Sequence, residues 1–154
     1  MKEVQLLRMN DQEFSIFLEK EIPRYARSIA QNRKENIEEA LMKSSKQIHQ
    51  LLHSGNTTPN HYIFKLDLEG NVIGNVWIHI NQEEKRGFLY NIYIAEEYRG
   101  KGYGTIAMQK SEEWLREKEI YRFGLHVFGH NTEAKKLYER LGFEVTGVNM
   151  LKEL

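Results

Sequence analysis

Eight consecutive residues, Tyr98-Arg99-Gly100-Lys101-Gly102-Tyr103-Gly104-Thr105, have the spacing in this chain that best suits ligand chemistry. Glycine at alternate positions lets backbone amides crowd a ligand, and Arg99 and Lys101 add a planar fork and a point charge. Where such a loop opens a helix, unpaired N–H groups and the positive end of the helix dipole attract phosphate, and a diphosphate is the natural guest. Two familiar phosphate loops fail on spacing. A Walker loop needs Ser or Thr after Gly-Lys, but Lys101 is followed by Gly102. A dinucleotide fingerprint wants glycine where Thr105 stands and an acid near the end of the next strand, where the chain reads Leu125-His126-Val127-Phe128. A ligand-free flexible connection is the plain alternative for the octapeptide taken alone.

Its position gives the octapeptide more weight. Alternating apolar residues predict a hairpin, with Tyr62, Phe64, Leu66 and Leu68 on one side of a Glu69-Gly70-Asn71 turn and Val72, Gly74, Val76, Ile78 and Ile80 on the other. After a charged connection, Phe88, Tyr90, Ile92 and Ile94 predict a third strand, so the loop lies between a strand ending near Ala95 and a helix over 102–119. Upstream, a short strand over Val4 to Met9 precedes a helix capped by Asp11, with Phe14, Phe17, Leu18, Ile22, Tyr25 and Ile29 at helical spacing. Pro23 interrupts that stripe and predicts a kink or break near Glu21 and Ile22. A second helix runs from about Glu35 to Ser54-Gly55, followed by a loop over Asn56 to Asn60. Downstream, Phe123 to Phe128 reads as strand, Ala134 to Leu141 as helix and Phe143 to Leu151 as a closing strand. The order implies an α/β arrangement whose sheet is antiparallel first and parallel where a helix crosses over.

The chain has 154 residues, which suits one domain, and its 22 basic and 22 acidic side chains cancel, so net charge does not favour nucleic acid. With no Cys, disulfides, thiolate nucleophiles and Cys-ligated metals are excluded. Six scattered His show no metal-ligand spacing. The first ten residues lack the apolar run of a secretory leader, and no window approaches the length of a membrane span; a cytoplasmic protein without a membrane partner is expected.

A second cassette follows some thirty residues on, with Asn131, Ala134 and Tyr138 preceding Gly142-Phe143. The strand ending Ile92-Tyr93-Ile94, then Arg-Gly-x-Gly-x-Gly, then Asn-x-x-Ala-x-x-x-Tyr-x-x-x-Gly-Phe resembles the GNAT superfamily of acyl-CoA-dependent N-acyltransferases over about Phe88 to Phe143. The resemblance implies an α/β (α+β) fold: a mixed, mostly antiparallel twisted sheet of about six strands, splayed between the fourth and fifth and flanked by about four helices. It implies one N-acetyltransferase domain over 1–154, with acceptor-side helices in 1–60 and an acyl-CoA-binding core in 61–154. Acetyl-CoA is then the cosubstrate, with no metal. Carried over, Ile92, Tyr93 and Ile94 meet pantetheine, and Arg99, Gly100, Lys101, Gly102, Tyr103, Gly104 and Thr105 cradle the diphosphate. Asn131, Ala134 and Tyr138 border the cofactor near the next helix, where Asn131 also suits a helix cap.

Acetyl transfer to an amine needs a neutral amine, a stabilised oxyanion and a proton for the departing thiolate. Tyr138 matches the family's general acid; packing beside Leu137 and Leu141 is its plainer role. Where many relatives carry a carboxylate on the fourth strand, this chain reads Tyr90-Asn91, and Asn91 takes no proton at neutral pH. His126 and His79 lie on predicted strands and are the remaining candidates for the base, directly or through water. Glu19, Glu21, Glu35, Glu38 and Glu39 either attract a cationic amine or form a solvated acidic face. The resulting expectation is transfer from acetyl-CoA to a primary amine of a small molecule or protein, by a monomer or homodimer. The alternative is a catalytically weak or silent acyl-CoA-binding sensor.

Overall fold

The structure, a computed structural model, describes residues 3–154; of the ten N-terminal residues read for a secretory leader, the first two lie outside the described ones. Strand β1 (Val4–Arg8) leads into helices α1 (Asp11–Arg33) and α2 (Ile37–Leu51). Strands β2 (His61–Leu68), β3 (Asn71–Asn81) and β4 (Arg86–Ile94) form the meander. Helix α3 (Tyr103–Glu117), strand β5 (Arg122–Leu125) and helix α4 (Thr132–Arg140) complete the order, with short 3-10 turns at Gly55–Thr57 and Glu96–Tyr98. The five strands lie in sequence order, antiparallel except for β4 and β5, which are joined by the α3 crossover.

Both faces of the sheet are covered. Leu66, Ile73, Val76, Ile78 and Ile80 pack with Ala107, Met108 and Leu115 of α3, whereas Ile63 and Trp77 face Phe14 and Phe17 of α1 and Ile48 of α2. Alternation along β2 and β3 therefore feeds two cores, one per face.

Five expectations need correction, the first being that the strand expected over Phe123 to Phe128 ends at Leu125. Helix α1 runs unbroken through Pro23. A mid-helix proline costs about 3 kcal/mol, but both halves are packed down: Phe14 and Phe17 before it against Ile48, Ile63 and Trp77, and Ala26 and Ile29 after it against Ala40. The cap of α1 is Asn10 rather than Asp11: its side chain accepts from the Glu13 N–H while Glu13 reaches back to the Asn10 N–H. Helix α2 ends at Leu51, and the 3-10 turn takes part of the expected loop. Among the described residues the sheet has five strands, not six, because residues 143–154 have no regular structure. Their apolar members Val145, Val148, Met150 and Leu151 are exposed, so strand-like alternation has no partner edge to satisfy it.

Two backbone features shape the fourth strand. Trp77 pairs with Asn91 and Ile78 with Leu89, so Tyr90 is the extra residue of a β-bulge. Near the strand's far end Gly74 pairs with Ile94, and a Cβ on Gly74 would lie 2.0 Å from the Tyr93 carbonyl oxygen; only glycine fits that approach.

Candidate active site

β4 and β5 pair only from Arg86 to Leu89 against Arg122 to Leu125. Beyond Leu89 the chains part, so Tyr90 to Ile94 present a strand edge with no neighbour strand. A cavity of about 440 Å³ opens there, floored by Tyr90, Asn91, Ile92 and Tyr93, walled by α1 and α2, and bounded by His126 and Tyr138. The splay expected between the fourth and fifth strands is therefore present, and the bulge at Tyr90 sits where pairing stops.

The expected site residues fall into two groups. Asn91, Ile92, Tyr93, His126 and Tyr138 line the cavity. The glycine loop lies past the end of β4, and Arg99 ties it to that strand: its Nε donates to the Ile94 carbonyl at 2.7 Å and its guanidinium carbon stands 5.3 Å from the Tyr93 ring centroid. Gly100 (φ 73°) and Gly102 (φ 85°) occupy the left-handed region, where glycine is unstrained. Side chains built at Gly100, Gly102 or Gly104 would meet nothing within 4 Å, so this stretch of backbone is open to a ligand. No side chain caps α3 at Gly102, which leaves the first-turn amides of Tyr103, Gly104 and Thr105 without a capping acceptor. Lys101 extends toward Tyr98, its Nζ 6.0 Å from the ring centroid.

Asn131 caps α4, its Oδ1 accepting from the Ala134 N–H at 3.3 Å. The Asn91 amide oxygen accepts a hydrogen bond from the Asn75 amide on the neighbouring strand. Tyr138 is half-buried and packs edge-on to Phe143, and burial pushes its phenol pKa up. His126 meets Phe128 edge-on at 5.1 Å. His79 is not a cavity residue: it lies against His61, with ring centroids 4.5 Å apart. The Trp77 indole N–H donates to His61 Nδ1 at 3.0 Å, and burial, with His79 and His53 nearby, takes the His61 pKa down to about 4. His61 is therefore a neutral structural acceptor at neutral pH.

The five glutamates separate cleanly. Glu19, Glu38 and Glu39 are exposed and Glu35 pairs with Lys43, whereas Glu21 is only 5% exposed and lines the cavity. Its Oε1 accepts from Arg24 Nε at 3.2 Å, and the Arg24 guanidinium carbon lies 3.7 Å from the Tyr93 ring centroid. Desolvation raises the Glu21 pKa, and the charge and hydrogen bond of Arg24 oppose the rise. Helical spacing held a signal for this residue, since Phe14, Phe17, Glu21 and Tyr25 follow one another at intervals of three and four. An acid inside an apolar stripe is a candidate for a buried polar role.

The residues from 24 to 143 match the model of the Acetyltransferase (GNAT) family. The chain is 35% identical over 154 residues to the uncharacterized N-acetyltransferase YycN of Bacillus subtilis, across 98% of this chain and 99% of the relative. It is 30% identical over 149 residues to the uncharacterized N-acetyltransferase YdgE of the same organism, across 95% of each. The crystal structure of YycN superposes with a TM-score of 0.94 over 99% of both chains. The chain belongs to the GNAT family of acetyltransferases, whose acyl donor is acetyl-CoA.

Proposed function

We propose that this acetyltransferase moves the acetyl group of acetyl-CoA directly to a primary amine held in the cavity between α1, α2 and β4. The observation that carries the reading is the unpartnered edge of β4, which runs from the cavity at Tyr90 to the Arg99 anchor of the glycine loop. Main-chain donors around residues 99 to 105 would hold the two linked phosphates, with charge from Arg99 and Lys101. The free edge over Ile92 to Ile94 would pair with the amide groups of pantetheine, which behaves there as an added strand. Asn131 and Ala134 would border the arm at the start of α4.

This arrangement serves the reaction in three ways. Backbone N–H groups of the β4 edge that no strand occupies can face the oxyanion of the tetrahedral intermediate. Amine nitrogen attacks the thioester carbon, the C–N bond forms, and collapse breaks the C–S bond. Tyr138, held protonated by burial at neutral pH, gives its proton to the leaving sulfur and recovers one from the acylated nitrogen. The residues 1–60 would form the acceptor side and 61–154 the acyl-CoA side of one unit. Asn91, engaged with Asn75, keeps β3 and β4 in register beneath the site and does not carry a proton.

The test is thermal denaturation with acetyl-CoA, followed by thiol release across a panel of small primary amines. Stabilisation by acetyl-CoA together with amine-dependent thiol release is the expected result, because a ligand that binds only the folded state raises its stability. Stabilisation with no thiol release from any amine would overturn the enzymatic reading in favour of a silent acyl-CoA sensor.

A further inference from the structure

We infer that Glu21 seats the acceptor's ammonium group and takes its proton, and that the acceptor is a small primary amine with a flat apolar body. This rests on the acetyl-transfer reading above. Among the described residues Glu21 is the one buried carboxylate, and it opens on the cavity that the free edge of β4 enters. Its Oε1 is occupied by Arg24, while no protein donor among the described residues meets Oε2. Arg24 cannot turn away to bind an anionic substrate without leaving both Glu21 and the Tyr93 ring. The result is a carboxylate with one free face, in a site whose other walls are largely aromatic: Tyr25, Trp77, Phe88 and Tyr90.

Other candidates for the base are weaker on position. Asn91 has no basic atom and is bound to Asn75, and His79 lies outside the cavity beside His61. His126 reaches the cavity from the segment after β5, where its ring packs edge-on against Phe128 with no charged partner among the described residues. The charged and titratable groups that share the space with Glu21 are Arg24, Tyr25 and Arg33 of α1, Tyr90 and Tyr93 of β4, His126 and Tyr138. Arg24 is the single one that pairs with Glu21. Desolvation brings the carboxyl closer in basicity to the amine it must deprotonate, as a general base requires.

The proton balance closes. The ammonium gives one proton to Glu21, which becomes the neutral acid, and the free amine attacks the acetyl carbon. The second nitrogen proton replaces the one that Tyr138 delivers to the thiolate, and Glu21 returns its proton to solvent after the amide leaves. Cavity size limits the acceptor, since about 440 Å³ must hold both it and the acetyl end of the donor. The ring walls favour a planar body bearing the ammonium at one end.

Benzylamine and benzyl alcohol, which differ in charge but little in shape, are the probes. Calorimetry on the CoA-saturated protein should show benzylamine bound at least about tenfold more tightly than the alcohol. Glu21→Gln should remove that preference while leaving CoA affinity unchanged, and Glu21→Asp should keep part of it. With acetyl-CoA, Glu21→Gln should lower kcat/KM for benzylamine on the order of 10²-fold near neutral pH, with the deficit shrinking as the free amine becomes abundant. A preference that survives Glu21→Gln, a deficit constant across pH, or wild-type protein that neither binds nor acetylates benzylamine would overturn the assignment. Failure to bind acetyl-CoA would instead overturn the reading of the glycine loop, so the two failures are separable.

Discussion

Arg24 lies over the ring of Tyr93, its guanidinium carbon 3.7 Å from the ring centroid, while its Nε donates to the carboxylate of Glu21. Arg99 approaches the same tyrosine at 5.3 Å and binds the carbonyl of Ile94. Tyr93 thus joins the helix that walls the cavity to the loop that begins α3.

Removing the Arg24 charge should expose this link. In Arg24→Gln the carboxyl of Glu21 loses the partner that opposes its desolvation, so its pKa should rise further above the ordinary value. The acid limb of a pH profile of kcat/KM should then move to higher pH. A limb that stays in place, or moves to lower pH, would separate Glu21 from the titration that limits the rate.

Tyr138→Phe keeps the ring that packs against Phe143 and deletes the hydroxyl. Turnover should fall on the order of 10²-fold with little change in acetyl-CoA affinity. Steady-state rates beside a thermal-shift titration measure both; a loss within twofold would leave Tyr138 a packing residue.

Gly102→Ala tests the loop. At φ 85° a Cβ costs about 1 kcal/mol, while the surrounding space is empty, so the strain is conformational rather than a collision. Urea denaturation should report that modest loss. Acetyl-CoA binding should weaken by a larger factor than stability does, because the new methyl group occupies the open face.

Gly74→Ala acts through collision. The added carbon would stand 2.0 Å from the Tyr93 carbonyl oxygen, so β3 and β4 must separate at the end that carries the cavity floor. Destabilisation of about 3 kcal/mol or more is expected from such overpacking, read as a lower denaturation midpoint. An unchanged midpoint would contradict the close approach of the two strands.

Stability should depend on pH through His61. Its folded-state pKa is about 4 against an ordinary 6.5, so between these values the unfolded chain binds the proton and the folded one resists it. The contribution is complete above about pH 6.5 and disappears as pH falls toward 4. His79, also lowered by burial, adds in the same direction. His61→Gln should therefore flatten the midpoint-versus-pH curve over this window without making it level.

Much of the donor side was legible because its signals are local. Alternation marked β2, β3 and β4, and glycine spacing marked the turn into α3, where backbone conformation is decided within a few residues. Asn131 read as a cap and is one. Local signals misled where a distant partner decides the outcome. Pro23 marked a kink or break, yet α1 runs continuously through it with packing on both sides, and the residues after Phe143 marked a strand whose side chains lie exposed with no strand beside them.

The acceptor side shows the same division. Asn91 and His79 occupied plausible positions in the chain, yet one is bound to Asn75 and the other stands against His61. Glu21 was one of five glutamates with nothing local to set it apart from a solvated face except its place in the apolar stripe. By itself the sequence determined the family, through the motifs it shares with it, and the order of the elements as far as α4 with the loop at residues 99 to 105, because periodicity and glycine spacing act over short stretches of chain. Tertiary structure alone decided that β4 parts from β5 after Leu89 and that Glu21 faces Tyr93 through Arg24. Burial and charge pairing arise between groups far apart along the chain, and only folding brings those groups together.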